Sequence, residues 1–461
     1  MRRVVITGQG AVSALGMSAT DTMAGMRDGT CGISDLEFKD VERLSIRIGG
    51  QIHGYAPSDH FDRQEIALYD KFTQFALIAA EEAMAQSGLN VSEELALRSG
   101  VVLGTAGGGL QTQDENYRSV YEDGKNRVHP FVVPRLMNNS AACHVSMRYR
   151  IQGPSYTVAT ACASSNHAIG QAFHMVRAGM ADMMLTGGSE SMLVFGGIKA
   201  WEGLRVMSRD GCRPFSADRN GMVQGEGAAV FVLEEYEAAR MRGADILGEI
   251  TGFAMTSDAS DIVMPNRNGA VRAMQGALAD AGLGPENIGY INAHGTGTTA
   301  NDRTECGAVR NAFGAHADRL MISSTKSMHG HLIGGTGAVE MLACTMALRD
   351  GVIAPTIGYN AADPDCDLDF VPNTAREMRP EAVMSNPQAD AVRELSEHEL
   401  AEIEKKYDEG AAVRKVAPGF SKFLRFVALA FAIYHYLTAG FGLPPDYWHM
   451  GIHLSGLFIL I

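Results

Sequence analysis

The pattern that most constrains this chain is a helix, a Gly-Leu stop and a strand, found twice. "FTQFALIAAEEAMAQSGL" has apolar residues at helical spacing, ends in Gly-Leu and leads into the apolar run "SGVVLGTAGGG". "AVRAMQGALADAGL" ends the same way and leads into "NIGYINAHGTG". A second unit repeats as well. A glycine turn and helix lead to "DMMLTGG" in one half, and "GHLIGGTGAVEMLACTMALRDG" precedes "VIAPTI" in the other. Strands alternating with helices predict an α/β fold with a mostly parallel sheet. The duplication predicts two similar halves, residues 1–244 and 245–386, with a site at the carboxyl ends of the strands.

Charge and cysteine usage narrow the function. The chain has 461 residues, 20% of them charged, with a net charge of −14, which argues against non-specific nucleic-acid binding. Seven cysteines without regular spacing and without a CxxC pair do not describe a disulfide framework. The start "MRRVVITGQG" has no signal-peptide hydrophobic region. Residues 1–386 are therefore expected to form a reduced, cytosolic protein. In "GQGAVS" the third glycine of a dinucleotide fingerprint is replaced by Ser13, so NAD binding is not expected.

In "TVATACASSNHAIGQAF" a β-branched strand runs into an amphipathic helix, and Cys162 falls at the junction. Unpaired N–H groups at a helix N-terminus favour an anion and can lower a thiol pKa. A buried structural cysteine fits that stretch equally well. Two further stretches set polar residues beside glycine. "INAHGTGTTANDRTE" places His294 after an apolar strand, and "SSTKSMHGHLIGGTGAVE" supplies Lys326, His331 and Glu340. A lone loop histidine is more often structural than functional. His329 and His331 have no cysteine or carboxylate nearby to complete a set of ligands, so no metal is expected.

Taken together, "TACASS", "NAHGTGT" and "STKSMHGHLIGGTGAVE" resemble the active-site motifs of elongating β-ketoacyl-acyl carrier protein synthases. The resemblance covers residues 1–386, including "RPFSADRNGMVQGEGAAVFVLEEYEAARMRGA" and "DCDLDFVPN". "SSNHAIGQAF" with "GIKAWEGLRVMSRDGCRPFSADRNGM" is similar to the nodulation-type branch. The resemblance implies a thiolase-like fold, two α/β halves in five layers, and a homodimer. It also implies decarboxylative condensation of malonyl-acyl carrier protein with an acyl group held on Cys162. His294 and His331 then flank the malonyl thioester, Lys326 and Glu340 support the second histidine, and Thr296 and Thr298 contact the pantetheine arm. Gly107 stands where related enzymes carry a bulkier residue against the acyl chain, which implies space for medium to long chains. No cofactor is bound, because phosphopantetheine arrives on the acyl carrier protein. A degradative thiolase would need a second active cysteine near its C-terminus, and an initiating synthase has asparagine where His331 stands.

The chain departs from that family after Ser385-Asn386. The family continues with a Phe- and Gly-rich loop, which supplies an oxyanion donor, and a final core strand; here Pro387 follows and both are expected to be missing. An inactive condensing scaffold is the alternative this raises. Residues 387–461 resemble the start of a TRAP-type fused permease: a charged helix in "LSEHELAEIEKKYD", the apolar span "FVALAFAIYHYLTAGFGL", and "LPPDYWHMGIHL". Residues 426–461 are thus expected to contact or enter a membrane, with the preceding basic residues and the catalytic part in the cytoplasm. The chain ends inside an apolar run, as a truncated segment would.

Overall fold

Ten strands pair into one sheet: β1 (Val4–Val12), β2 (Ser99–Gly104), β3 (Ser155–Val158), β4 (Met183–Glu190), β5 (Gly227–Glu235), β6 (Gly248–Phe253), β7 (Ile288–Asn292), β8 (Met321–Ser323), β9 (Ala382–Ser385) and β10 (Asp390–Arg393). Their spatial order is β8-β7-β9-β10-β6-β1-β5-β4-β2-β3. The first half thus reads 3-2-4-5-1 from its outer edge. The second half reads the same once its strands are renumbered from β6. Directions repeat too: β2 is parallel to β3 and β4, and β7 is parallel to β8 and β9. In each half the last strand runs antiparallel to both of its neighbours. The duplication read from the helix–Gly-Leu–strand unit is therefore a duplication of topology. The sheet is mixed, not mostly parallel as alternation predicts. Between β9 and β10 the reason is length. Four residues separate Ser385 from its partner Asp390, too few to cross back for a parallel return.

This computed structural model describes residues 1–259, 264–386 and 390–393. Residues Met1–Leu395 group as one unit, and the second unit, Ser396–Ile461, lies outside the described residues, as does the expected membrane span. Among the described residues no helix is long and apolar enough to cross a membrane.

Helices on both faces sandwich the strands, among them α1 (Lys71–Ser87), α2 (Ser164–Arg177), α3 (Arg267–Ala281), α4 (Thr299–Phe313) and α5 (Thr336–Asp350). Strand residues alternate between two cores. Val230 and Val232 of β5 pack outward with α1, while Ala229, Phe231 and Leu233 face inward onto α2 and α5. On the other side Ile288 and Ile291 of β7 pack with α3 and α4. The layers are therefore helix, sheet, helix, sheet, helix. α5 is buried from Thr336 through Leu348, as an all-round apolar helix in a middle layer must be. α1 and α3 both stop at a left-handed glycine, Gly88 and Gly282, the residues that marked the repeat.

β10 corrects the expectation that the closing strand is missing. It pairs with β9 from Ala382↔Arg393 to Ser385↔Asp390 and with β6 from Phe253↔Asp390 to Glu249↔Arg393. Ladder pairing is made by backbone N–H and C=O groups, so a segment of unrelated sequence can fill the slot. Val392→Pro removes an N–H inside that ladder and leaves a buried carbonyl unpaired, which is expected to cost about 1–3 kcal/mol. Urea unfolding of the full chain checks it; an unchanged midpoint would mean β10 adds nothing.

Candidate active site

Cys162 lies in a tight turn, Ala161–Ala163, between β3 and α2. Ala161 has φ +51°, a left-handed conformation that costs a non-glycine residue energy and throws the next side chain out of the strand line. The turn is braced from β2. A Cβ on Gly104 would stand 2.3 Å from the carbonyl carbon of Ser164, so only glycine lets the strand end meet the first residue of α2. The thiol is partly accessible. Burial pushes it up to about 11, with the Lys326 ammonium opposing the rise. The expectation that the helix end would lower it is therefore corrected: removal from water outweighs the dipole.

His331 Nε2 is 3.0 Å from Cys162 Sγ. The backbone N–H of Ile333 points at His331 Nδ1 (3.1 Å), and an amide N–H can only donate. Nδ1 must then be the acceptor, and a neutral ring carries its proton on Nε2. Burial first and Lys326 second hold this imidazole, and that of His294, well below the ordinary histidine range. Both rings are neutral. His331 is thus a donor toward the sulfur and whatever replaces it, and not a base for the thiol. The two rings meet edge to face, with centroids 5.4 Å apart.

Lys326 and Glu340 form a fully buried ion pair behind the rings. Burial raises the Glu340 carboxyl to about 7, with the neighbouring ammonium pulling it back. The predicted Cys162, His294, His331, Lys326 and Glu340 are thus brought together from both halves. Residues the sequence reading passed over complete the frame. Glu305 on α4 accepts from the N–H groups of His294 and Gly295 (both 2.7 Å) and from Asn386 Nδ2 (2.6 Å). Thr336 Oγ1 lies 2.8 Å from His331 Nδ1. The signal for Glu305 was a carboxylate on the inward face of the helix after "HGTGT".

Sγ and one imidazole nitrogen from each ring lie within 4.8 Å of one another, a set that could also hold a thiophilic ion. The His329–His331 pair raised from sequence is not that set. Both His329 nitrogens are taken, by Gly330 O (2.8 Å) and Thr325 Oγ1 (3.1 Å). A cavity of about 540 Å³ opens onto Cys162 and His294 and is lined by Thr160, His167, Asn301 and Asn386 among others. Thr296 and Thr298 sit on the turn after His294, their hydroxyls 2.8 Å apart, and Thr298 caps α4. On the other side Cys162 packs against an apolar cluster with Met192, Ile198, Met207 and Ile333. Gly107 borders that cluster but leaves no empty space: a Cβ there would stand 2.3 Å from Met192 Cε. The vacancy expected from the missing side chain is filled by a flexible methionine.

Residues 1–239 match the family model "Beta-ketoacyl synthase, N-terminal domain", and residues 247–360 match its C-terminal counterpart. Nodulation protein E of Rhizobium leguminosarum bv. trifolii is 47% identical over 378 residues, covering 82% of this chain and 94% of that protein. 3-oxoacyl-[acyl-carrier-protein] synthase 2 of Staphylococcus aureus (strain COL) is 40% identical over 392 residues, covering 84% and 95%. Among solved structures, a β-ketoacyl synthase from Burkholderia phymatum superposes with a TM-score of 0.79 at 32% identity, covering 86% of this chain and all of that one. The ishigamide ketosynthase/chain length factor gives 0.80 at 32% identity, covering 85% and 98%.

Two outcomes follow from this geometry. Alkylation of Cys162 by iodoacetamide should accelerate from neutral pH toward about 11, and Lys326→Met, which removes the opposing cation, should displace the profile to higher pH. A profile flat above neutrality would contradict the buried-thiol account. Met192→Ala, which empties the space beside Gly107, should shift acyl preference toward longer chains, each added methylene gaining ~0.8 kcal/mol. Competition between acyl donors of graded length measures it.

Proposed function

This chain belongs to the β-ketoacyl synthase family and is a condensing enzyme, and we propose that it joins an acyl group held on Cys162 to a malonyl unit carried by an acyl carrier protein. The observation that carries this reading is the cluster of Cys162, His294 and His331, with His331 presenting its Nε2–H. Cys162 sulfur attacks the acyl thioester and forms a new thioester, the acyl–sulfur bond to the carrier breaks, and the proton of the Cys162 thiol ends on the departing carrier sulfur. Malonyl thioester then enters from the 540 Å³ cavity. Its C–C bond to the carboxylate breaks, carbon dioxide leaves, and the electron pair becomes an enolate whose oxygen takes N–H bonds from the two imidazoles. The enolate carbon attacks the acyl carbonyl on Cys162, and collapse of that adduct expels the thiolate. Neutral rings suit this role, since each can donate an N–H without an acidic proton to lose. Burial keeps them neutral, and the ammonium of Lys326, in its pair with Glu340, adds to that effect.

Thr296 and Thr298 flank the pantetheine arm in this reading, and the Gly107–Met192 wall receives the acyl chain. The prosthetic arm travels with its carrier, so none need be resident. A ketosynthase similar to this chain, at 30% identity, is named in complex with an acyl carrier protein, which supports that partner. A homodimer fits the exposed apolar side chains Tyr117, Tyr121, Phe131, Val133, Met137 and Met147, concentrated in one stretch of chain. The proposal keeps the catalytic part in the cytoplasm and residues 426–461 as a membrane contact of permease-like sequence.

The inactive-scaffold reading rests on the short β9–β10 connection, which leaves no length for the family's Phe- and Gly-rich loop. Radiolabelled acyl-carrier protein separates the two. An enzyme labels at Cys162, loses the label in Cys162→Ala, and chases it into 3-oxoacyl product with malonyl-carrier protein. His294→Ala and His331→Ala should each lower decarboxylation on the order of 10²–10³-fold. An unlabelled wild-type protein would sink the enzyme reading.

A further inference from the structure

The buried carboxylate of Glu190 has no part in the chemistry above, yet it ties the two halves of the site together. It stands at the carboxyl end of β4 with no exposure. Oε1 accepts from Thr105 Oγ1 (2.9 Å) and Gly107 N (3.2 Å). Oε2 accepts from Ala106 N (2.7 Å) and Gly334 N (3.0 Å). Three of these donors belong to the loop after β2, beside the acyl wall. The fourth belongs to the turn Ile333–Gly335, in the other half of the chain, which follows His331.

That turn does two things at once. Its Ile333 N–H sets the proton of His331 on Nε2. To do so Ile333 takes φ +48°, a strained conformation for a β-branched residue. Such strain persists only where surrounding contacts hold it. The contact next in sequence is the Gly334 N–H on Glu190. The fit is close: a Cβ on Gly334 would stand 2.4 Å from Ala106 N and 2.7 Å from Glu190 Oε2. We propose that Glu190 is a positioning residue for His331, holding the strained turn whose Ile333 amide selects the Nε2–H form of the ring. Because the same carboxylate grips Ala106 and Gly107, the acyl wall and the oxyanion donor share one support. This inference rests on the condensing role given to His331, but its test does not need turnover.

Two substitutions separate reach from charge. Glu190→Asp keeps the charge and can stay with the three donors of the β2 loop, but it is too short to span to Gly334 as well. Glu190→Gln keeps the reach. Its amide oxygen takes Ala106 and Gly334, its nitrogen turns to Thr105 Oγ1 as a donor, and the Gly107 N–H and the Thr105 hydroxyl hydrogen lose the acceptor they shared. The full chain, labelled with ¹⁵N-histidine, is read by imidazole ¹⁵N shifts, with the His331 signals assigned by their loss in His331→Asn. Wild type should show Nε2 protonated and Nδ1 accepting. Glu190→Asp should lose that signature and lower malonyl decarboxylation on the order of 10²-fold, as for one misplaced oxyanion donor. Glu190→Gln should keep the signature and lose less activity than the Asp variant. An Asp variant with wild-type signals, or a Gln variant impaired as much as Asp, overturns the proposal. Should the Asp variant fail to fold, the Gln variant still decides, since a changed His331 signal in it also overturns the proposal. If the wild-type signature is present but no decarboxylation is detected, the condensing reading fails and the positioning stands.

Discussion

One buried cation reaches every reactive group of this site. Lys326 has no exposure to solvent, and Glu340, equally buried, is its ion-pair partner. A desolvated ammonium acts through low dielectric, so its field is felt strongly by its neighbours. That field helps hold His294 and His331 neutral and restrains the rise of the Cys162 thiol. A single charge thus acts on all three groups at once: against protonation of the two imidazoles, and toward ionisation of the thiol. Breaking such a pair costs about 3–5 kcal/mol, because the survivor is left charged and unpaired in the interior. Stability and reactivity are therefore tied to the same contact.

The repeated topology explains how the parts meet. Each half packs one face of its strands on the middle layer, where α2 and α5 share one core. Cys162 comes from the turn into α2, and His331 from the turn into α5. These turns occupy equivalent places in the two halves. His294 follows β7, the counterpart of β2, and the loop after β2 carries Gly107. A duplicated framework has thus been given different side chains at matching positions, a cysteine in one copy and two histidines in the other.

Much of this could be read from the chain alone. The duplication was visible because Gly88 and Gly282 end matching helices, and Cys162 stood out as a candidate because a cysteine among small residues falls where a strand turns into a helix, although that stretch alone fitted a structural cysteine equally well. The histidines and their charged pair were found through glycine-flanked runs at strand ends. Glu190 was not, since a carboxylate that accepts backbone N–H bonds from a distant loop leaves no local pattern, and Glu305 was passed over although it stands on the buried face of the helix after "HGTGT". The thiol's elevated pKa escaped for a related reason: burial depends on every layer around the turn, whereas helix position depends on a few adjacent residues. Met192 could not be assigned to the space at Gly107 because the two are joined only in the folded state.

β10 has a consequence for how such a chain tolerates change. The strand that completes the second half is four residues long, and its place in the sheet is defined by backbone pairing with β9 and β6. A slot recognised by backbone discriminates little among sequences, provided the segment can extend and carries no proline within it. The end of this fold is therefore a permissive joint. Any segment that can extend for four residues after the β9 turn is able to complete the sheet there, whatever side chains it carries, proline apart.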